Sequence, residues 1–285
     1  MGNVSRLAFI RGVGAMVAVN AAVPSVAECA SVHSDGRLRI AHLTDPQFGF
    51  GRWPKDPAQR YAVDLARMEC EIEAVNAIKP DFAIITGDMV HVAADMAKDW
   101  PRLLRKFKVP VAVAPGNHDM GNSITRENLD RFISVFGSDR KVLDVKGWRI
   151  IVGNTQWWCT AELAKERAEY EEWLKEELAR AKDANGRVIV AGHIPPFADA
   201  PNEKDSWQNM PKERRFAQLK AYLGAGARFF LAGHTHRMAV RGWEELTVLN
   251  AETTSRNTDS RPFGFRLFET DASGEYSYRF VRVGA

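Results

Sequence analysis

Short apolar segments of this chain are repeatedly followed by residues that can bind metals or carry protons. One such segment covers residues 109–114, and Asn117, His118 and Asp119 follow it after a Pro-Gly turn. Buried polar groups need partners, so an amide, an imidazole and a carboxylate at the end of a core strand are typical of a functional site. The same arrangement recurs at five other residues or pairs: Asp45 with Gln47, Asp88, His193, His234 and His236.

These residue types indicate metal chemistry. Carboxylates, imidazoles and amide oxygens together suit Mn²⁺, Fe, Zn²⁺ or a harder divalent ion such as Mg²⁺. The set is too large for one ion and about large enough for two. A carboxylate placed between two ions can bridge them at about 3.5–4 Å, as in hydrolytic two-metal sites. The sequence therefore predicts a site for two divalent metal ions whose identity stays open.

Each motif taken alone also has a simple structural explanation. A Gly-His or Gly-Asp pair is common in turns, and Asn-His-Asp can cap a helix. Five such motifs, each placed after a core strand, are far harder to explain by turn formation. We therefore interpret them as one site.

Hydrophobic periodicity predicts the elements that carry these motifs. Strands are predicted over residues 37–44, 81–86, 109–114, 187–191 and 228–232. Helices are predicted over residues 58–78, 96–107, 125–136, 161–182 and 212–223. A hairpin of residues 141–145 and 148–153 lies between them, and short strands follow from Met238 onward. Helices alternating with strands, followed by a run of strands, indicate an α/β fold in which a second sheet packs on the first.

Composition limits the possible classes of protein. With 285 residues, 45% hydrophobic and 26% charged, the chain fits one large globular domain. A net charge of +3 gives no support to nucleic-acid binding. Residues 1–27 have the layout of a signal peptide and are too polar to span a bilayer, which predicts export to the periplasm or medium. The alternative is an N-terminal extension on a cytoplasmic protein. Residues 28–36 are interpreted as a linker and 37–285 as the folded domain.

Several other residues have predicted roles. Cys70 and Cys159 are expected to be buried small hydrophobes, because the three cysteines have no metal-ligand or disulfide spacing. His42 lies inside the first strand and is expected to be a hydrogen-bonded core histidine. The loops over residues 49–57 and 195–211 carry Trp53 and Trp207 and are expected to form the rim of the site.

The motif order resembles the calcineurin-like metallophosphoesterase superfamily over residues 38–270. That family's pattern is Asp-x-His, Gly-Asp, Gly-Asn-His-Asp/Glu, His and Gly-His-x-His. It appears here as Asp45-Pro46-Gln47, Gly87-Asp88, Gly116-Asn117-His118-Asp119, His193 and Gly233-His234-Thr235-His236. The resemblance implies a four-layer α/β/β/α sandwich of two mixed β-sheets flanked by helices.

The resemblance also implies a role for each motif residue. One metal ion is expected on Asp45, Asp88 and His236, with Gln47 as a candidate fourth ligand. The second is expected on Asp88, Asn117, His193 and His234. A hydroxide that bridges the two ions attacks phosphorus in this family. His118 is expected to protonate the leaving oxygen or steady the phosphoryl charge, with Asp119 orienting its ring.

Gln47 departs from the family pattern, which has histidine there. A narrower likeness is to the calcineurin-like phosphoesterase domain-containing protein 1 branch, which also carries Asp-Pro-Gln and is described as a Ser/Thr protein phosphatase. An amide oxygen is a harder ligand than imidazole, so we hypothesise a weaker first site that prefers Mn²⁺ or Mg²⁺ to Fe. The alternative is that Gln47 turns away and a water replaces it.

The sequence thus predicts a metal-dependent phosphoester hydrolase, a phosphomonoesterase of protein-phosphatase type. Its substrate is expected to be a phosphoprotein or a small phosphoester, with Arg237 and His91 as candidate substrate-binding residues. One alternative is a phosphodiesterase acting on cyclic nucleotides or lipid head groups. Another is a non-catalytic metal-binding protein with a degraded first metal site. Oligomeric state stays open.

Overall fold

The computed structural model describes residues 36–255 and 261–283, so the predicted signal peptide and all but the last residue of the predicted linker lie outside the described residues. The strands of the described part are β1 (Leu38–Leu43), β2 (Phe82–Thr86), β3 (Val111–Ala114), β4 (Lys141–Val145), β5 (Trp148–Val152), β6 (Val188–Ala191), β7 (Ala227–Ala232), β8 (Ala239–Trp243), β9 (Leu246–Asn250), β10 (Gly264–Thr270) and β11 (Tyr276–Arg282). The α-helices of the described part are α1 (Pro57–Ile78), α2 (Met96–Leu104), α3 (Arg126–Phe136), α4 (Ala164–Ala181) and α5 (Lys212–Gly224).

These strands form two mixed sheets. The first has the order β11-β10-β1-β2-β3, and the second has the order β4-β5-β6-β7-β9-β8. In the first sheet β1, β2 and β3 are parallel, whereas β10 and β11 pair antiparallel. In the second sheet β5, β6, β7 and β9 are parallel.

Alternation along the strands sorts the core into layers. In β1, Leu38 and Ile40 belong to a cluster shared by both sheets, in which they meet residues such as Ile150 and Leu231. Ala41 and Leu43 of the same strand belong to the other large cluster, which contains the apolar faces of the helices. The sheets therefore pack face to face with helices outside them, which confirms the predicted four-layer α/β/β/α sandwich.

Local sequence explains where the helices begin and end. Asp56 caps α1 by accepting a hydrogen bond from the backbone of Ala58, and Lys79 ends that helix in the left-handed conformation. Thr125 caps α3, where the sequence predicts a helix start. Helix α4 begins later than residue 161, because Leu163 has a φ of 51° and cannot join a right-handed helix.

The topology explains why the motifs meet. Parallel strands end at the same edge of a sheet, and loops at that edge gather ligand groups. Asp45 follows β1, Asp88 follows β2 and Asn117 follows β3 in the first sheet. His193 follows β6 and His234 follows β7 in the second sheet. The two sheets bring both groups of loops to one end of the sandwich.

Two cysteine predictions are wrong, since Cys70 and Cys159 are both exposed. Cys70 lies in α1 on the side that faces solvent, and Cys159 ends a short 3₁₀ turn. The prediction for His42 is confirmed: the ring is fully buried and contacts the hydroxyls of Tyr278 and Thr86. None of the helices in the described part of the chain has the length and apolar composition that a membrane span requires.

Candidate metal centre

Three of the predicted ligands form a compact cluster. Asp45, Asp88 and His236 each offer one ligand atom, and these atoms all lie within 4.8 Å of one another. Both aspartates are almost completely buried, at 0% and 1% exposure. Two buried carboxylates side by side are unfavourable unless a cation or a proton compensates them. The cluster therefore favours a bound cation.

The carboxylate of Asp45 is held in one orientation. Its Oδ2 accepts hydrogen bonds from the Thr44 hydroxyl at 2.6 Å and from the His234 backbone at 3.0 Å. Its Oδ1 lies 3.2 Å from Nε2 of His236, and none of the described residues gives it a donor in hydrogen-bonding geometry. One oxygen is thus used to fix the side chain, and the other is left for a ligand.

Gln47 is also oriented into the cluster. Its side-chain nitrogen donates to Oδ2 of Asp88 at 3.2 Å, and its buried Oε1 has no hydrogen-bond partner within residues 36–255 and 261–283. A buried polar atom without a partner is costly, and an amide oxygen is a ligand for hard cations. Oε1 of Gln47 and Oδ1 of Asp45 are therefore two buried oxygen atoms of the first site that a bound cation would stabilise.

A second group of atoms surrounds His193. Its Nδ1 donates to the Thr86 carbonyl at 2.7 Å, so in the neutral ring Nε2 carries a lone pair. That Nε2 lies 3.0 Å from Oδ1 of Asn117, 3.0 Å from Nδ1 of His234 and 3.5 Å from Oδ1 of Asp88. With a neutral His193 ring, four atoms with lone pairs meet here, an arrangement that a metal ion or a proton on Nε2 of His193 compensates.

The pKa values of the site's side chains also favour the binding of positive charge. Burial disfavours a charged His193, but the carboxylates of Asp88 and Asp45 outweigh burial and raise its pKa to about 9. Burial and the neighbouring His193 lower the pKa of His234 to about 4, so this ring is neutral near pH 7. Burial by itself would raise the pKa of Asp45, but the neighbouring His236 and His193 rings outweigh burial, so the pKa lies below its usual value. The carboxylates thus stay ionised and attract positive charge. The residues present therefore fit divalent metal ions.

Five of the predicted ligands have strained backbones. Asp45, Gln47, Asp88, His234 and His236 have φ values of 50°, 41°, 55°, 71° and 55°. Residues other than glycine rarely adopt this region, and such strain concentrates at functional sites. Backbone hydrogen bonds between neighbouring loops hold it, including Asp45 to Gly87 at 3.0 Å and Gln47 to Asp88 at 2.8 Å.

Two motif glycines are needed for close approach. A Cβ on Gly116 would lie 2.1 Å from Oδ1 of Asp88. A Cβ on Gly233 would lie 1.8 Å from the Thr44 hydroxyl and 2.5 Å from Oδ2 of Asp45. Real Cβ contacts are never so short, so a side chain at either position displaces the carboxylates.

The structure corrects the expected partner of His118. Nδ1 of His118 lies 3.1 Å from the backbone carbonyl of His91, which fixes the ring. Asp119 instead accepts from the backbones of Met89 at 2.8 Å and Gly116 at 2.8 Å. No hydrogen bond joins Asp119 to the His118 ring in the described part of the chain. The expectation that Asp119 orients His118 is therefore wrong, because Nδ1 of His118 faces the His91 carbonyl while the Asp119 carboxylate is held by backbone donors. Asp119 connects the loops after β2 and β3.

Five of the seven predicted ligands line a cavity of about 350 Å³, namely Gln47, Asp88, Asn117, His234 and His236. His118, Arg237 and Trp207 are among the residues lining it. His91 lines an adjacent cavity; its carbonyl contacts Nδ1 of His118, and its ring lies 5.0 Å from the His118 ring between centroids. Of the two loops expected at the rim, residues 195–211 contribute Trp207 and Gln208. Residues 49–57 contribute Phe50, whereas Trp53 does not line the cavity.

Sequence reasoning missed two contributors. The ring of Phe50 packs against the rings of His236 at 5.4 Å, His91 at 5.4 Å and His118 at 6.3 Å between centroids. Thr253 donates from its hydroxyl to the carbonyl of Asp45 at 2.6 Å. The sequence signal for Phe50 is its place in the predicted rim loop over residues 49–57, three residues after Gln47, and no motif marks Thr253.

Comparisons with known proteins identify what the chain resembles. The sequence model of the calcineurin-like phosphoesterase family matches residues 38–238. Serine/threonine-protein phosphatase CPPED1 of Homo sapiens is 26% identical over 241 residues, covering 78% of this chain and 77% of that protein. The protein of the same name in Danio rerio is 31% identical over 216 residues, covering 72% of this chain and 67% of that protein.

Solved structures show the same fold at low sequence identity. A dimetal phosphatase from Danio rerio superposes with a TM-score of 0.62 and 13% identity, covering 86% of this chain and 97% of that chain. The purple acid phosphatase PPD1 from yellow lupin superposes with a TM-score of 0.54 and 14% identity, covering 86% of this chain and 51% of that chain.

Proposed function

This chain belongs to the calcineurin-like phosphoesterase family, and on that premise we propose that it is a phosphomonoesterase of the protein-phosphatase type. The observation that carries the proposal is the cluster of Asp45, Asp88 and His236, whose ligand atoms lie within 4.8 Å of one another beside the cavity that His118 lines.

The ligand sets follow the lone-pair atoms that meet at the site. Oδ1 of Asp45, Oε1 of Gln47, Asp88 and His236 would hold one divalent ion. Asp88, Asn117, His193 and His234 would hold the other, so Asp88 serves both. When bound, such ions supply Lewis acidity and a water of lowered pKa. We propose that the two ions are drawn from Mn²⁺, Fe, Zn²⁺ and Mg²⁺, with Mn²⁺ or Mg²⁺ favoured over Fe at the site that Gln47 completes.

The chain itself supplies the proton donor. The His91 carbonyl occupies Nδ1 of His118, which leaves Nε2 as the nitrogen available to the cavity. A protonated His118 can therefore give the Nε2 proton to the leaving oxygen of a phosphoester. The backbone N–H of His118 donates to Oδ1 of Asp88 at 2.9 Å, which places this ring directly beside the ligand that both ions share.

Two observations support a monoester substrate. Arg237 lines the cavity and is exposed, and no ion pair to it is found in the described residues. A guanidinium beside the phosphoryl group favours the greater charge of a monoester dianion. The relatives named above are serine/threonine-protein phosphatases, which supports a phosphorylated protein as the substrate class.

Hydrolysis of para-nitrophenyl phosphate and of its bis-ester tests the proposal, with Mn²⁺ and after chelation. We expect turnover of the monoester that chelation abolishes and Mn²⁺ restores. Turnover of the bis-ester alone would indicate a phosphodiesterase acting on cyclic nucleotides or lipid head groups. Turnover of neither, with metal bound, would indicate a metal-binding protein.

We also propose export, on the basis of the sequence of residues 1–27. N-terminal sequencing of the mature protein tests it: a start after Ala27 or Ala21 supports export, and an intact N-terminus in the cytoplasmic fraction contradicts it.

A further inference from the structure

The rim loop, residues 195–211, is held by an arginine from the helix that follows it. Arg215 in α5 is fully buried. Its guanidinium donates to the carbonyls of Met210 at 2.7 Å, Pro201 at 3.0 Å and Glu203 at 2.9 Å, and to the carboxylate of Asp205 at 3.3 Å. A buried guanidinium is tolerated only when its donors are satisfied, so these bonds fix the loop to the helix.

A half-buried carboxylate, that of Glu203, organises the same loop from within. Glu203 accepts hydrogen bonds from the backbones of Ala198 at 2.8 Å, Asp199 at 2.7 Å and Ala200 at 3.0 Å. Its Oε1 also accepts from the side chain of Asn209. These bonds join Glu203 to residues 198–200 and to Asn209, so the stretch between Glu203 and Asn209 has a defined conformation.

The stretch between Glu203 and Asn209 places Trp207 at the mouth of the metal cavity. The backbone carbonyl of Trp207 accepts a hydrogen bond from Nε2 of His234. The indole ring meets the His234 ring edge to face, with centroids 5.3 Å apart, yet 68% of the residue is exposed. An exposed tryptophan on a fixed backbone is the kind of residue that contributes most to binding a partner, because little entropy is lost when its ring is covered.

We propose that Trp207 is a specificity-determining residue that packs against the peptide chain of a phosphorylated protein. This inference rests on the proposed phosphomonoesterase function. A cavity of about 350 Å³ accommodates a phosphorylated side chain and no folded partner. The main chain of such a substrate must therefore cross the rim, where Trp207 offers an apolar face and Arg237 a positive charge.

The contact between Trp207 and His234 makes the test clean. Because Trp207 uses its backbone carbonyl, Trp207→Ala keeps the hydrogen bond to His234 while it removes the indole and its ring contact with His234, and inorganic phosphate binding reports any damage to the cavity. Trp53 is a matched control: it is 66% exposed on the other rim segment and does not line the cavity.

The experiment measures binding and turnover in wild type, Trp207→Ala and Trp53→Ala. Binding is measured by calorimetry with a ten-residue peptide that carries a non-hydrolysable phosphonate analogue of phosphoserine, and with inorganic phosphate. Turnover is measured as kcat/KM for the matching phosphopeptide and for free phosphoserine. We expect Trp207→Ala to weaken peptide binding about tenfold. We also expect the ratio of kcat/KM for the phosphopeptide to kcat/KM for phosphoserine to fall about tenfold, through a higher KM for the phosphopeptide. We expect Trp53→Ala to keep both values.

Peptide binding decides the inference, and turnover decides the proposed function. If the wild-type protein binds the peptide through Trp207 without hydrolysing the phosphopeptide, the inference about Trp207 is supported and the proposed function is refuted. Equal peptide affinity in Trp207→Ala and wild type would overturn the inference. So would an equal loss of peptide and inorganic phosphate binding, which shows a damaged cavity. Adenosine monophosphate is measured in the same binding assay. Tighter binding of this nucleotide than of the peptide, lost in Trp207→Ala, would also overturn the inference, because the indole would then stack on a base.

Discussion

The hydroxyl of Thr253 donates a 2.6 Å hydrogen bond to the backbone carbonyl of Asp45, a residue 208 positions earlier in the chain. Beside it, the backbone of Thr254 donates to the carbonyl of Thr44 at 3.0 Å. Asp45 has a φ of 50°, a conformation that a residue other than glycine keeps only when its surroundings enforce it. The segment after β9 therefore holds the first metal-ligand loop in place.

Replacing Thr253 should weaken metal binding. Thr253→Val removes the donor to Asp45 and keeps the side-chain volume, so we expect the affinity for Mn²⁺ to fall about tenfold. Metal titration by calorimetry measures it, with Thr247→Val in β9 as the control. Thr253→Ser should restore the affinity. Unchanged affinity in Thr253→Val would show that the hydrogen bond does not position Asp45.

Removing the charge of Asp88 should abolish activity while the fold survives. In Asp88→Asn, the side-chain oxygen can still accept from the backbone of His118, but the anion facing both groups of ligands is lost. We expect kcat/KM to fall more than about 100-fold, because a ligand matters more than the residues that support it. Thermal unfolding should change little, and Asp130→Asn on the exposed side of α3 is the control. Retained turnover excludes Asp88 as the shared ligand.

A histidine at position 47 should change the metal preference. Gln47→His replaces the unpartnered amide oxygen with a nitrogen donor, so we expect higher metal occupancy and a shift from Mn²⁺ or Mg²⁺ toward Fe. Elemental analysis of purified protein measures both quantities. Gln208→His, at another glutamine that lines the cavity, is the control. Equal occupancy and equal metal preference in wild type and Gln47→His would refute the hypothesis that Gln47 is a ligand.

The buried Glu71 of α1 should make stability depend on pH. Burial raises its pKa well above the usual 4.5, and neighbouring Thr254 and Arg67 only partly offset this. The folded state thus favours the protonated carboxyl, so the contribution of Glu71 to stability is full below its unfolded pKa. That contribution is lost as pH rises through the raised folded pKa. We therefore expect Glu71→Gln to increase the free energy of unfolding at pH 8, with a gain that shrinks toward pH 4.5.

Urea denaturation across that pH range measures the effect. Glu73→Gln, at an exposed position of the same helix, should show no such trend. A loss of stability in Glu71→Gln that is the same at every pH would show that Glu71 acts as a hydrogen-bond partner and not as a buried acid.

The sequence predicted the elements and their motifs because both depend on local pattern. The strand predicted over residues 81–86 is Phe82–Thr86, and the helix predicted over residues 58–78 is Pro57–Ile78. Polar residues after such strands could be placed at one edge of a sheet, because parallel strands end together. His42 was predicted correctly because an imidazole inside a core strand must find partners there.

Errors occurred where exposure or a partner depends on distant segments. Cys70 and Cys159 were expected in the core on residue type alone, but both are exposed. Asp119 follows His118 in sequence, yet its carboxylate contacts Met89, a residue on a different loop. Adjacency along the chain therefore did not predict hydrogen bonding.

By itself the sequence determined the strand order along the chain, the ligand types and the resemblance that assigns the family. Only the tertiary structure decided which buried atoms face one another, such as Thr253 with Asp45 and Arg215 with the rim loop. The physical reason is range: hydrophobic periodicity acts within one element, whereas the partner of a buried polar atom is set by which loops the packing of two sheets brings together.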